Sequence, residues 1–148
     1  MSLHQQIWRE LSAIDITGHV EKKNGLDYLS WAFAIQKLNE RFPNNTYSFN
    51  ETTMPDGTMM TECMLTIHHG SDVAMRSMWL PVMDFRNKAI VNPDAFAINT
   101  SRMRCLVKCL AMWGLGLSLY SKTELTDEPK QPEPAKKGLI GQKKLLWQ

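Results

Sequence analysis

The chain has no uninterrupted apolar run approaching the roughly 18 residues that a membrane span requires. Its opening, Met1-Ser2-Leu3-His4-Gln5-Gln6, also lacks the basic-then-apolar layout of a signal peptide. The expectation is a protein of the cytoplasm. Cysteine is scarce: Cys63, Cys105 and Cys109 are an odd number, which argues against a disulfide framework. Cys105 and Cys109 sit four apart, with His68 and His69 as conceivable further metal ligands. Zinc sites normally present two close pairs with turn residues between them, so burial as small hydrophobes on a helix is the favoured reading.

Catalytic signatures are missing as well. There is no glycine-rich phosphate loop, no His-Glu-x-x-His and no Gly-x-Ser-x-Gly. His68-His69 reads as a polar strand end. Asp72, Asp84 and Asp94 could in principle hold a metal for nuclease chemistry, but each is spaced as a turn or cap residue. No catalytic residue, metal or cofactor is assigned, and the expected function is binding. Without an ATP-binding loop, an ATP-driven strand-exchange motor is excluded.

What is present is an ordinary globular composition, 43% hydrophobic and 22% charged over 148 residues, enough for one core. Formal net charge is only +2, yet it is unevenly placed. Residues 1–75 hold five Lys/Arg against nine Asp/Glu, whereas 76–108 hold six (Arg76, Arg86, Lys88, Arg102, Arg104, Lys108) against two (Asp84, Asp94). Such a stretch can form a local basic surface.

Apolar residues at helical spacing (Leu3, Ile7, Trp8, Leu11, Ile14) predict a short helix over 3–14, broken by Gly18 and Lys22-Lys23-Asn24-Gly25. A second helix is expected over Leu26–Phe42, stopped by Pro43. Alternation at 46–50, the turn Pro55-Asp56-Gly57, a strand over 59–69, the turn Gly70-Ser71-Asp72 and a strand over 73–83 predict a three-stranded antiparallel meander. Pro81 fits a strand end. Asn92-Pro93-Asp94 reads as a helix start, with Asn92 as cap and Pro93 as first helical residue, and the helix should run to about Trp113. Phe96, Met103, Leu106, Val107, Leu110 and Trp113 would form its core side, and Ser101, Arg104 and Lys108 its polar side. The fold class is therefore α+β, a meander packed on a long helix.

Residues 1–121 are taken as one domain. Residues 122–148 change composition: Pro129, Pro132 and Pro134 among Lys, Glu and Gln read as a disordered linker. The apolar-basic end, with Lys143, Lys144, Leu145, Leu146 and Trp147, reads as a short docking peptide, with folding back onto the domain as the alternative.

Binding single strands without sequence preference needs cations that track phosphates and flat side chains for bases. Arg76 and Trp79 on a strand, Arg86 and Lys88 on a turn, and Arg102, Arg104 and Lys108 on a helix could converge on one groove. The alternative is that they are the solvated faces of separate elements. The run from Met78-Trp79-Leu80-Pro81 through Asp84-Phe85-Arg86-Asn87-Lys88, then Asn92-Pro93 and Ile98-Asn99-Thr100-Ser101-Arg102-Met103-Arg104-Cys105-Leu106-Val107-Lys108, resembles the core of the Sak-type phage single-strand annealing proteins. Leu29-Ser30-Trp31-Ala32 and the strand with Tyr47 and Phe49 match the same pattern, so the resemblance spans roughly residues 20–121.

That resemblance implies a fold similar to the annealing domain of the eukaryotic recombination protein Rad-fifty-two, related more distantly to RecT, Red-beta and Erf. It implies subunits joined into rings or helical filaments, with single-stranded DNA in an outer basic groove. Lys108 would face phosphate, Arg102 and Arg104 would be its neighbours, and Arg86 and Lys88 would lie on the adjoining loop. It further implies ATP-independent annealing in phage recombination and repair, with no catalytic residue. A bacterial single-strand-binding protein or a phage exonuclease would suit the tail. The competing expectation is an oligomeric adaptor that recruits a partner through that tail.

Overall fold

Strict alternation along one central strand sets the architecture. In the computed structural model, which describes residues 1–23 and 26–121, Thr61, Cys63, Leu65 and Ile67 are fully buried, while the residues between them face outward. Their strand, β4 (Met59–His69), lies between β3 (Asn45–Thr53) and β5 (Asp72–Pro81), both antiparallel to it. Register puts Phe49, Cys63 and Met78 in one row and Tyr47, Leu65 and Arg76 in the next. The tight turn before β4 uses Gly57 at φ 84°, with Asp56 accepting from the Thr58 amide at 3.0 Å. The expected meander is thus present, and the last strand stops at Pro81, two residues before its expected end. Met83 instead bridges Ala89 in a separate small hairpin.

Two helices and a small hairpin precede the meander in the chain. Helix α1 (Leu3–Ser12) starts in a capping box, Ser2 and Gln5 each accepting from the other's backbone amide, and it buries Leu3, Ile7 and Leu11. Strands β1 (Val20–Lys23) and β2 (Leu26–Leu29) pair antiparallel where the sequence was expected to begin a helix at Leu26. The physical reason lies at Ser30, whose hydroxyl accepts from the Phe33 amide at 3.3 Å and starts α2 (Trp31–Arg41) there. Upstream of that cap, Asn24-Gly25 is a sequence preferred in two-residue hairpin connections.

Helix α3 (Ala95–Met112) lies across the inner face of β4 and β5 and also contacts α2. Its cap is Asp94, which accepts from the Ala97 amide at 2.9 Å; Asn92 takes a left-handed φ of 50° and Pro93 stays outside the helix. This corrects the expected Asn92 cap. The expected faces are also shifted. Ser101 is fully buried, not on a solvated polar side, and accepts from the Met83 amide at 3.3 Å, while Phe96 is 57% exposed.

Cys105 and Cys109 are buried on the sheet side, as expected of small hydrophobes. The Cys105 thiol faces the Met78 carbonyl at 3.3 Å, and the Cys109 thiol faces the carbonyls of Cys63 and Arg76. His68 points to the opposite face of the sheet, and His69 meets Phe42 edge-on at 5.7 Å. Trp113 caps the helix, and Gly114 (φ 111°) lets the chain pass α1, since a Cβ there would sit 3.1 Å from Ser12 and 3.2 Å from the Trp8 carbonyl. Among the described residues no helix is long and apolar enough to cross a membrane, and no group of three His, Cys, Asp or Glu could hold a metal. The proposed linker and docking peptide, 122–148, lie outside the described residues.

Candidate nucleic-acid interface

The seven residues singled out for DNA divide into separate environments. On β5, side chains alternate between faces. Arg76 therefore points inward, its guanidinium 5.0 Å from the centre of the Trp113 ring, which in turn stacks on His4 at 5.3 Å. Trp79 points outward and is 53% exposed. The expected grouping of Arg76 with Trp79 in one groove is not what the strand allows: three positions along a strand place two side chains on opposite faces.

Arg102 lies on one flank of α3 and turns toward β3. Its Nε donates to Glu51 Oε2 at 2.8 Å, its Nη2 donates to Oε1, and its guanidinium lies 5.4 Å from the Phe49 ring. Glu51 also accepts from the Thr61 hydroxyl at 2.8 Å. The Arg102 hydrogen bonds hold the Glu51 carboxyl below its ordinary range, outweighing burial. Arg102 thus clamps α3 to the sheet through Glu51 while its side chain stays over a third exposed.

Arg104 and Lys108 share the other flank, as four-residue spacing requires. Arg104 reaches the turn after β5, its Nη2 donating to Asn87 Oδ1 at 3.3 Å, with the Tyr28 ring centre 5.7 Å away. Its guanidinium is tucked inside, and burial pulls it below its ordinary value. Burial likewise pushes the Tyr28 and Tyr120 hydroxyls up to about 12. Arg104 therefore supports the turn from beneath through Asn87. Lys108, one turn along, is part-buried, with Nζ 3.5 Å from the Trp79 carbonyl at the edge of β5. Burial lowers its ammonium from the ordinary lysine value.

Arg86 and Lys88 are the exposed cations among the seven, and they flank buried Asn87 on the same turn. Asp84 builds that turn: its Oδ1 accepts from the amides of Arg86 at 2.8 Å and Lys88 at 3.1 Å. Asn87 adopts φ 61°, a left-handed value that asparagine tolerates better than most residues. The result is a rigid hairpin tip with two cations outward and one amide inward, pinned by Arg104.

A scan against protein-family models matches residues 6–145 to the Sak single-strand annealing protein. The chain belongs to the Sak single-strand annealing protein family. The Sak match covers most of α1 and most of residues 122–148, both of which the motif resemblance over 20–121 left aside. No curated protein and no solved structure matches this Sak chain.

Several residues of this Sak surface were not singled out from sequence. Asn87 carried a signal, since asparagine between two cations in a turn suits a left-handed residue. Tyr28 and Tyr120 carried none, because their roles depend on β2 and the segment after α3 meeting around Arg104.

Proposed function

We propose that this Sak-family protein binds single-stranded DNA through the 84–88 turn and Lys108 and anneals complementary strands without ATP. Membership of a single-strand annealing family supports the reaction. The observation that carries the site is the pairing of exposed Arg86 and Lys88 on a turn held from below by the Arg104–Asn87 hydrogen bond. Neutralising phosphates releases counterions and reduces repulsion between strands, and base pairing then supplies the energy. No bond is made or broken by the protein, so it acts as a binder and not as an enzyme.

A homo-oligomer is part of the same reading. The sheet order leaves β3 and β5 as edges among the described residues, and unpaired strand edges are templates for joining copies. One small basic turn per subunit gains strength when a ring or filament repeats it along one strand. The α+β arrangement of meander and crossing helix is consistent with a Rad-fifty-two-like annealase acting in phage recombination in the host cytoplasm.

The test mixes complementary oligonucleotides with purified full-length protein and no nucleotide cofactor. Accelerated duplex formation that falls steeply with salt is the expected result. Unchanged duplex formation would point to the adaptor alternative, and shortened strands would point to a nuclease.

A further inference from the structure

Beside the cation turn, between the 82–90 hairpin and the first turns of α3, lies an open cleft of about 530 Å³. Its walls are largely apolar, with Met83, Phe85, Ile90 and Phe96 among them. Phe96 is 57% exposed at its mouth, and Val91, on the adjoining loop, is 59% exposed. Asp84 and Asp94 also line it, each with Oδ1 occupied by backbone amides. An apolar cleft rimmed by two carboxylates suits neither a phosphate chain nor a plain hydrophobic peptide. It suits apolar side chains that follow directly on basic ones.

The chain itself contains such a segment, Lys143-Lys144-Leu145-Leu146-Trp147. We infer that this segment docks in the cleft of its own chain, with Leu145, Leu146 and Trp147 against the apolar walls and the two lysines beside Asp84 and Asp94. Two further observations favour it. The 22 peptide steps from Ser121 to Lys143 can span up to about 75 Å, against about 35 Å across a folded domain of this size. The family match extends to residue 145, so the family pattern includes most of this segment. Docking there would set Lys143 and Lys144 close to Arg86 and Lys88 and so enlarge the basic surface.

Photo-cross-linking in the full-length protein tests this. With a benzophenone amino acid replacing Trp147, the expected products are intrachain cross-links to residues 83–100. Phe96→Ser and, separately, Lys143→Glu with Lys144→Glu should each lower their yield about tenfold. Circular dichroism of each variant should match wild type. Cross-links to another face of the domain, or yields indifferent to both sets of substitutions, would overturn the inference. So would cross-links between chains, read by mixing isotopically light and heavy protein, or cross-links that form only when a bacterial single-strand-binding protein is added. As a second readout that needs no change in the domain, Leu146→Asp with Trp147→Asp should speed amide exchange over residues 84–97 several-fold, and unchanged exchange would count against docking.

Discussion

Arg102 on the long helix and Glu51 on the first strand of the meander, 51 positions apart in sequence, form a two-point ion pair with Thr61 as a third member. A cation that looked available for DNA is thereby spent on holding helix to sheet. Removing it should cost stability and leave strand recognition nearly intact. Because the guanidinium is over a third exposed, Arg102→Ala should destabilise by about 1–2 kcal/mol, below the value for a buried charged pair. Urea melts check the first half of that statement, and the salt slope of DNA binding, unchanged in the variant, checks the second.

The same pair sets an acid response. Glu51 has its folded-state value held below its ordinary 4.5 by the Arg102 hydrogen bonds. A carboxyl shifted in that direction contributes stability that is full above the unfolded value and is lost as pH falls through the folded one. Wild-type stability should therefore drop from about pH 4.5 downward, and Arg102→Ala should flatten that part of the curve. Thermal melts between neutral and acid pH give the comparison, and equal slopes in the two proteins would refute it.

Arg86 and Lys88 should behave oppositely to Arg102. Both are exposed, so Arg86→Ala with Lys88→Ala should leave the melting transition within about 0.5 kcal/mol of wild type. Binding of single-stranded DNA should weaken, and its log–log salt slope should become shallower by about 1.4, two phosphate contacts at 0.7 each. Fluorescence anisotropy over a salt series measures both quantities.

For Arg104 the prediction is mixed. Arg104→Ala strips buried Asn87 of its donor, at a cost of about 1–3 kcal/mol. Amide exchange should rise first at residues 84–89 and little in β4. DNA affinity should fall with it, through the loosened turn, while the salt slope stays close to wild type. A slope reduced as in the double variant would instead return Arg104 to direct phosphate contact.

Thiol chemistry offers an independent check of packing. Burial lifts the Cys105 thiol to about 12, and a hydrogen bond with Cys109 together with burial raises Cys63. Only the thiolate reacts, so at pH 8 about one Cys105 in ten thousand is competent. An aromatic disulfide reagent should modify the native protein very slowly and release three equivalents in one step on unfolding. Prompt reaction of any one thiol in native protein would contradict the packing of α3 on the sheet.

The meander was legible because a two-residue period leaves a mark in every strand: Thr61, Cys63, Leu65 and Ile67 alternate with residues that stay outside. The first hairpin was not, since four-residue strands are too short to display a period and Tyr28, Leu29 and Trp31 fit a helix equally well. Ser30 was the one local cue, outweighed by the aromatic run around it. Residue choice at the site was half legible. Arg86 and Lys88 are exposed on their turn, but the helix is covered by sheet, α2 and hairpin together, so a two-sided division into apolar and polar faces fails at Ser101, Phe96 and Arg104. No count of charges distinguishes Arg102 from Lys108, because Glu51 is brought beside Arg102 only by folding.

Asn87, left-handed and turned inward between two outward cations, has a consequence for how a nucleotide chain would meet this protein. The spacing of the Arg86 and Lys88 backbones is settled before any ligand arrives, so little main-chain entropy remains to be surrendered on contact. On the proposed reading, a strand meeting this turn finds both cations already placed and need not wait for the loop to order.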